Sequence, residues 1–74
     1  MMLNRIRELR KAKKMSQEAL ANICDVSRQT INAIENNKYD PSLALAFKIA
    51  TTLNITVDEL FQFHSEKRRD FNEN

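Results

Sequence analysis

The sequence predicts an all-α domain, a bundle of five short helices closed by a small antiparallel ribbon of the two chain ends. Three observations predict it. Glycine is absent and Pro41 is the only proline, so capping residues and short polar turns must separate the elements. Apolar residues recur at helical spacing through most of the chain. With 74 residues there is room for one domain, small enough that its core needs tight helical packing or help from a second subunit. The domain is placed at 1–64, followed by a polar, disordered tail over 65–74.

Leu3, Ile6, Leu9 and Ala12 line one face of a first helix near 3–13, whose other face is rich in Arg and Lys. Ser16 caps a second helix with Leu20, Ile23 and Cys24 on its buried side, and Ser27 caps a third that buries Ile31 and Ile34. A polar loop, Asn36 to Asp40, leads to Pro41, which opens a fourth helix from a favoured first-turn position. Its inward stripe is expected to be Leu43, Phe47, Ala50 and Leu53, filled by Ala46 and widened by Leu45 and Ile49. Thr56 and Glu59 have the spacing of a capping box and open a short fifth helix carrying Val57, Leu60 and Phe61. Phe61, Gln62, Phe63 and His64 then alternate with strand period, and Met1 to Leu3 is the only other terminal apolar stretch available to pair with them.

Composition excludes several classes of function. One cysteine, Cys24, rules out an internal disulfide framework and fits a reducing cytoplasm. The longest uncharged stretch, Pro41 to Phe47, is far too short to span a membrane, and the first residues are too charged for a signal sequence. His64 has no Cys or His at ligand spacing, and no acid, base and nucleophile group together, so neither a metal, a cofactor nor an enzyme is expected. The 12 Lys and Arg against 10 Asp and Glu give a net charge of +2, but distribution says more than the total. Arg5, Arg7, Arg10, Lys11, Lys13 and Lys14 face only Glu8 within the first 14 residues.

The segment SRQTINAIE, residues 27–35, instead carries amides and hydroxyls with few charges. Two short helices joined by a three-residue turn present the second helix to the major groove of DNA. Arg28, Gln29 and Asn32 share one face of that helix, and amide or guanidinium groups there suit paired hydrogen bonds to base edges. Ala33 lies within reach of a thymine methyl. Ser27, Thr30, Asn36, Lys38 and Tyr39 supply hydroxyl, amide, ammonium or backbone N–H groups to flanking phosphates, although Ser27 is fully explained as a cap.

SQEALANICDVSRQTINAIE, residues 16–35, resembles the helix-turn-helix of the phage repressor and Cro proteins, and the resemblance extends over roughly residues 4–62. It implies a lambda-repressor-like bundle that binds double-stranded DNA, usually as a homodimer on an inverted-repeat operator, to regulate transcription. Repression is the simplest form, with no site for a small-molecule effector. The resemblance also implies that Gln17 contacts the DNA backbone and that Arg10 and Glu35 form a structural ion pair. At the turn, where that family often has glycine, this chain has Asp25, and Cys24 matches an apolar core position. A dimer would bury Leu60, Phe61 and Phe63, which a small monomer would leave exposed. A second reading, a protein-interaction module such as an antitoxin, calls for a long partner-binding extension, and only 66–74 is available.

Overall fold

Hydroxyl caps set the helix starts. In the computed structural model, which describes residues 2–63, the order is β1 (Met2–Asn4), α1 (Ile6–Ala12), α2 (Gln17–Cys24), α3 (Arg28–Glu35), α4 (Leu43–Thr52), α5 (Val57–Leu60) and β2 (Phe61–Phe63). The Ser16, Ser27 and Ser42 hydroxyls accept from the backbone N–H three residues on, each satisfying a donor that the helix itself leaves free. Thr56 and Glu59 close both halves of a capping box.

The ends are built without glycine. Lys14, Asp25, Asn37 and Asn54 take left-handed backbone conformations just past α1, α2, α3 and α4, with φ between 56° and 62°. After each, the next N–H donates back to a carbonyl in the last turn: Met15 to Arg10, Val26 to Ala21, Lys38 to Ala33 and Ile55 to Ala50, at 2.9–3.0 Å. A side chain with a Cβ carries a steric cost in this conformation that glycine does not, and Asn and Asp tolerate it best of the rest. Asp25→Gly is therefore expected to stabilise the domain by about 0.5–1 kcal/mol and to raise its thermal midpoint by a few degrees. A lower midpoint in a melt followed by circular dichroism would show that the Asp25 side chain contributes more than its backbone costs.

The core is formed by Ile6, Leu20, Ala21, Cys24, Ile31, Ile34, Leu45, Ala46, Ile49, Ala50, Leu53, Leu60 and Phe61. It lies between α2 and its two neighbours α3 and α4, and α5 closes it from the α4 side. Cys24 is buried there, and burial pushes its thiol up beyond the usual range despite a hydrogen bond with Thr52 and the nearby Lys48 charge.

β1 and β2 form an antiparallel ribbon with Met2 opposite Phe63, Leu3 opposite Gln62 and Asn4 opposite Phe61. Met1 and His64, expected in this ribbon, and the tail expected over 65–74 lie outside the described residues. The ribbon corrects the first helix, which begins at Ile6 and not near Leu3 because Met2–Asn4 is extended against β2. Asn4 makes the switch: its Oδ1 accepts from the Ile6 N–H at 3.0 Å, while its Nδ2 donates to the Ile34 carbonyl at 2.9 Å and to Asn37 Oδ1 at 3.1 Å.

Other expectations fail for separate reasons. Ile23 is 58% exposed, Leu43 70% and Phe47 55%, whereas Leu45, Ala46 and Ile49 are buried. α4 is apolar nearly all round, so its pattern does not fix its rotation; packing on α2 and α5 does. Pro41 does not open α4 but precedes its cap, because Ser42 offers a hydroxyl and takes the extended backbone of a cap. Leu60 and Phe61 are corrected most sharply. Both are buried in this chain's own core, where the Leu60 carbonyl accepts from the Arg5 N–H at 3.0 Å and Phe61 pairs with Asn4 in the ribbon, and of the residues expected at a dimer surface only Phe63, 69% exposed, remains outside.

Candidate nucleic-acid interface

α3 is anchored from one side and bare on the other. Ile31 and Ile34 point into the core, and α2 packs against the helix across the short turn Asp25 to Ser27. Opposite them, Arg28, Gln29 and Asn32 are exposed, and Ala33 is half-buried at the edge of the same face. Among the described residues Arg28 and Lys38 enter no ion pair. Gln29 makes no side-chain hydrogen bond among those residues, so its amide is free for a ligand. An exposed amide and guanidinium on the first turns of a helix match in size and donor pattern the base edges of a major groove.

Ser27 and Thr30 are less free than the sequence suggests. Ser27 Oγ accepts from the Thr30 N–H at 3.1 Å and lies 3.0 Å from Thr30 Oγ1, so the hydroxyl pair is already used in closing the helix start. Lys38 and Tyr39 are exposed in the loop after α3, beside the C-terminal end of the same helix.

Behind this face lies a buried charge cluster. Arg10 donates from Nε to Glu35 Oε2 at 2.7 Å and from NH2 to Oε1 at 3.2 Å, a two-pronged pair between α1 and the end of α3, and its NH1 holds the Met15 carbonyl at 2.8 Å. Gln17 and Arg7 add hydrogen bonds to Glu35 Oε1 at 3.1 and 3.3 Å. Burial alone would push the Glu35 carboxyl up, but the hydrogen bonds from Arg10, Gln17 and Arg7 and the Arg10 charge outweigh it and hold the carboxyl below its usual range.

The cluster redistributes the basic first helix. Arg5 pairs with Glu8, and Arg7 and Arg10 with Glu35, so that among the described residues Lys11, Lys13 and Lys14 are the exposed cations of this segment that enter no ion pair. Gln17, expected at the DNA backbone, spends its amide on Glu35 and on Asn32, and Asn36 spends its own on Arg7 and Asn32. The part played by Arg7 was not read from the sequence. Its one available signal was its position three residues before Arg10, on the same side of α1.

Among the described residues no three His, Cys, Asp or Glu side chains converge as a metal site, and no helix is long and apolar enough to cross a membrane.

Residues 6–60 match the family model described as Helix-turn-helix. An uncharacterised helix-turn-helix-type transcriptional regulator of Methanocaldococcus jannaschii is 44% identical over 66 residues, which cover 89% of this chain and all of that one. Among solved structures, the restriction-modification controller protein C.AhdI of Aeromonas hydrophila superposes with a TM-score of 0.69 at 40% identity, over 74% of this chain and 83% of its own. SinR, the biofilm master regulator known from Bacillus subtilis, was solved in complex with DNA. That structure superposes with a TM-score of 0.66 at 31% identity, over 72% of this chain and 86% of its own.

Proposed function

We propose a function that starts from one fact: this chain belongs to the helix-turn-helix family of DNA-binding transcriptional regulators. It acts as a sequence-specific repressor, placing α3 in the major groove of double-stranded DNA. The observation that carries this reading is the outward face of α3, where Arg28, Gln29 and Asn32 stand exposed on a helix that Ile31 and Ile34 fix to the core. In this reading Gln29 and Asn32 address base edges, Ala33 touches a thymine methyl, and Arg28 reads a guanine. Lys38, Tyr39 and the Ser27 and Thr30 end of α3 hold flanking phosphates, with Lys11, Lys13 and Lys14 adding long-range attraction.

The operator is an inverted repeat bound by two copies, because two recognition helices related by a two-fold axis meet the groove roughly 34 Å apart. With Leu60 and Phe61 consumed by the core, the exposed Phe63 ring is where the contact between copies is placed. Repression follows from occupancy of a site that polymerase also needs, and the chain acts in the cytoplasm with the DNA.

Selection of bound duplexes from a random pool, followed by sizing of the complex, tests this reading. The expected result is an enriched inverted repeat with half-sites about one helical turn apart, bound by two chains. Retention of DNA without enrichment, by a monomer and only at low salt, would remove sequence-specific regulation and turn attention to a protein partner.

A further inference from the structure

We propose that Arg7 is a positioning residue for base readout: with Glu35 it imposes one orientation on the Asn32 amide, acting through Asn36 and Gln17. The inference rests on the reading of Asn32 as a base-contacting residue.

Five side chains from three helices and the residue after α3 close a ring of hydrogen bonds. Arg7 NH2 donates to Asn36 Oδ1 at 3.0 Å, and Asn36 Nδ2 donates to Asn32 Oδ1 at 3.3 Å. Asn32 Nδ2 donates to Gln17 Oε1 at 3.5 Å, and Gln17 Nε2 donates to Glu35 Oε1 at 3.1 Å. Arg7 Nε closes the ring on that same carboxylate oxygen at 3.3 Å. A further bond from Asn36 Nδ2 to the Asn32 carbonyl, 2.9 Å, ties Asn36 to the α3 backbone.

The ring has a direction, and its charged members dictate it. A guanidinium only donates and a carboxylate only accepts. Glu35 therefore obliges Gln17 to present its nitrogen, which leaves the Gln17 oxygen to accept from Asn32. Arg7 obliges Asn36 to present its oxygen, which leaves the Asn36 nitrogen for Asn32 Oδ1. Asn32 receives the same instruction from both sides. An amide that flips freely matches a base edge in either order of donor and acceptor; one held in a single order matches only one. After both ring bonds, Asn32 still has one N–H and one lone pair to offer outward.

Glu35 and Arg10 would hold the bundle together without this ring, since their pair does not involve Arg7. Arg7 is also half-exposed where Glu35 is fully buried, so its geometry is separable from the fold. Lysine at position 7 keeps the charge but lacks the fork that reaches Glu35 and Asn36 at once.

Arg7→Lys, Asn36→Ala and Asn32→Ala are compared with the wild-type chain in the pool selection and in a thermal melt. Asn32→Ala identifies the base pair that Asn32 reads. At that pair Arg7→Lys and Asn36→Ala are expected to lose about tenfold in discrimination. Preference at other positions stays unchanged in both, and for Arg7→Lys so do the thermal midpoint and the salt dependence. Full discrimination at that pair in Arg7→Lys, or an equal loss at every position, overturns the proposal. Side-chain ¹⁵N order of the Asn32 amide in the free protein judges the ring without DNA: loosening in Arg7→Lys supports it, and unchanged order overturns it. A wild-type chain that selects no sequence overturns the DNA reading itself, an outcome the amide measurement distinguishes from failure of the ring.

Discussion

Replacing Arg10 by Met is expected to cost the domain about 3–5 kcal/mol, because it strands a carboxylate that has no exposed side-chain surface. A domain of this size has roughly 5–10 kcal/mol to lose, so about half of its stability should go, and its thermal midpoint should fall by more than about 10 °C. Arg7 and Gln17 remain beside Glu35 and partly offset the loss, but neither is a buried two-pronged partner. The double variant Arg10→Met with Glu35→Leu should recover much of the deficit, since a buried ion pair is worth little more than apolar side chains of similar volume. A double variant as unstable as Arg10→Met alone would mean that Arg10 acts chiefly through the Met15 carbonyl that it also holds.

The same pair sets a dependence on pH. The Glu35 carboxyl is held below its ordinary value of 4.5 in the folded chain, so the stability it contributes is fully present above 4.5 and is lost as pH falls through the lower folded value. Arg10→Met removes the strongest of the groups that depress it, and burial, which pushes the other way, then weighs more. Wild type and variant should accordingly differ most near neutrality and converge in acid, as pH falls through the lowered folded value of Glu35. Urea titrations at a series of pH values read this directly, and a gap that is constant across the series would rule out the linkage.

What the sequence disclosed was local. Ser16, Ser27 and the Thr56 and Glu59 pair declare helix starts within three residues of themselves, and each does so in the structure. The short turn through Asp25 and the inward pair Ile31 and Ile34 likewise follow from neighbours in the chain, and they suffice to orient α3. What stayed hidden depends on partners far along the chain. Phe47 and Leu43 fit an apolar stripe as well as Leu45 and Ile49 do, and only the position of α2 decides between them. Leu60 and Phe61 were assigned outward because their local pattern does not show that both are taken up by the core formed with α2, α3 and α4. The ring through Arg7, Asn36, Asn32, Gln17 and Glu35 spans separations of up to 29 residues, and no periodicity encodes it.

Gln29→Ala is expected to relax base preference at one position of each half-site by about 1–3 kcal/mol, roughly 5- to 150-fold, while leaving the fold untouched. The structural ground is that Gln29 is exposed and, among the described residues, has no side-chain partner, so truncating it leaves no buried group unpaired. Any loss is therefore a loss of contact with the ligand. Lys38→Ala removes an exposed charge from the loop after α3 and should weaken binding about equally on all duplexes, lowering the slope of affinity against salt by about one counterion. Binding isotherms on the selected operator and on a scrambled duplex, each at several salt concentrations, separate the two effects. If Gln29→Ala behaved like Lys38→Ala, the amide would be touching phosphate, and the base-reading face would have to turn toward Asn32 and Ala33. If it changed neither affinity nor preference, α3 would not lie in the groove with this face inward, because an amide with no other partner at the start of a recognition helix cannot enter a major groove without meeting a base edge or a phosphate.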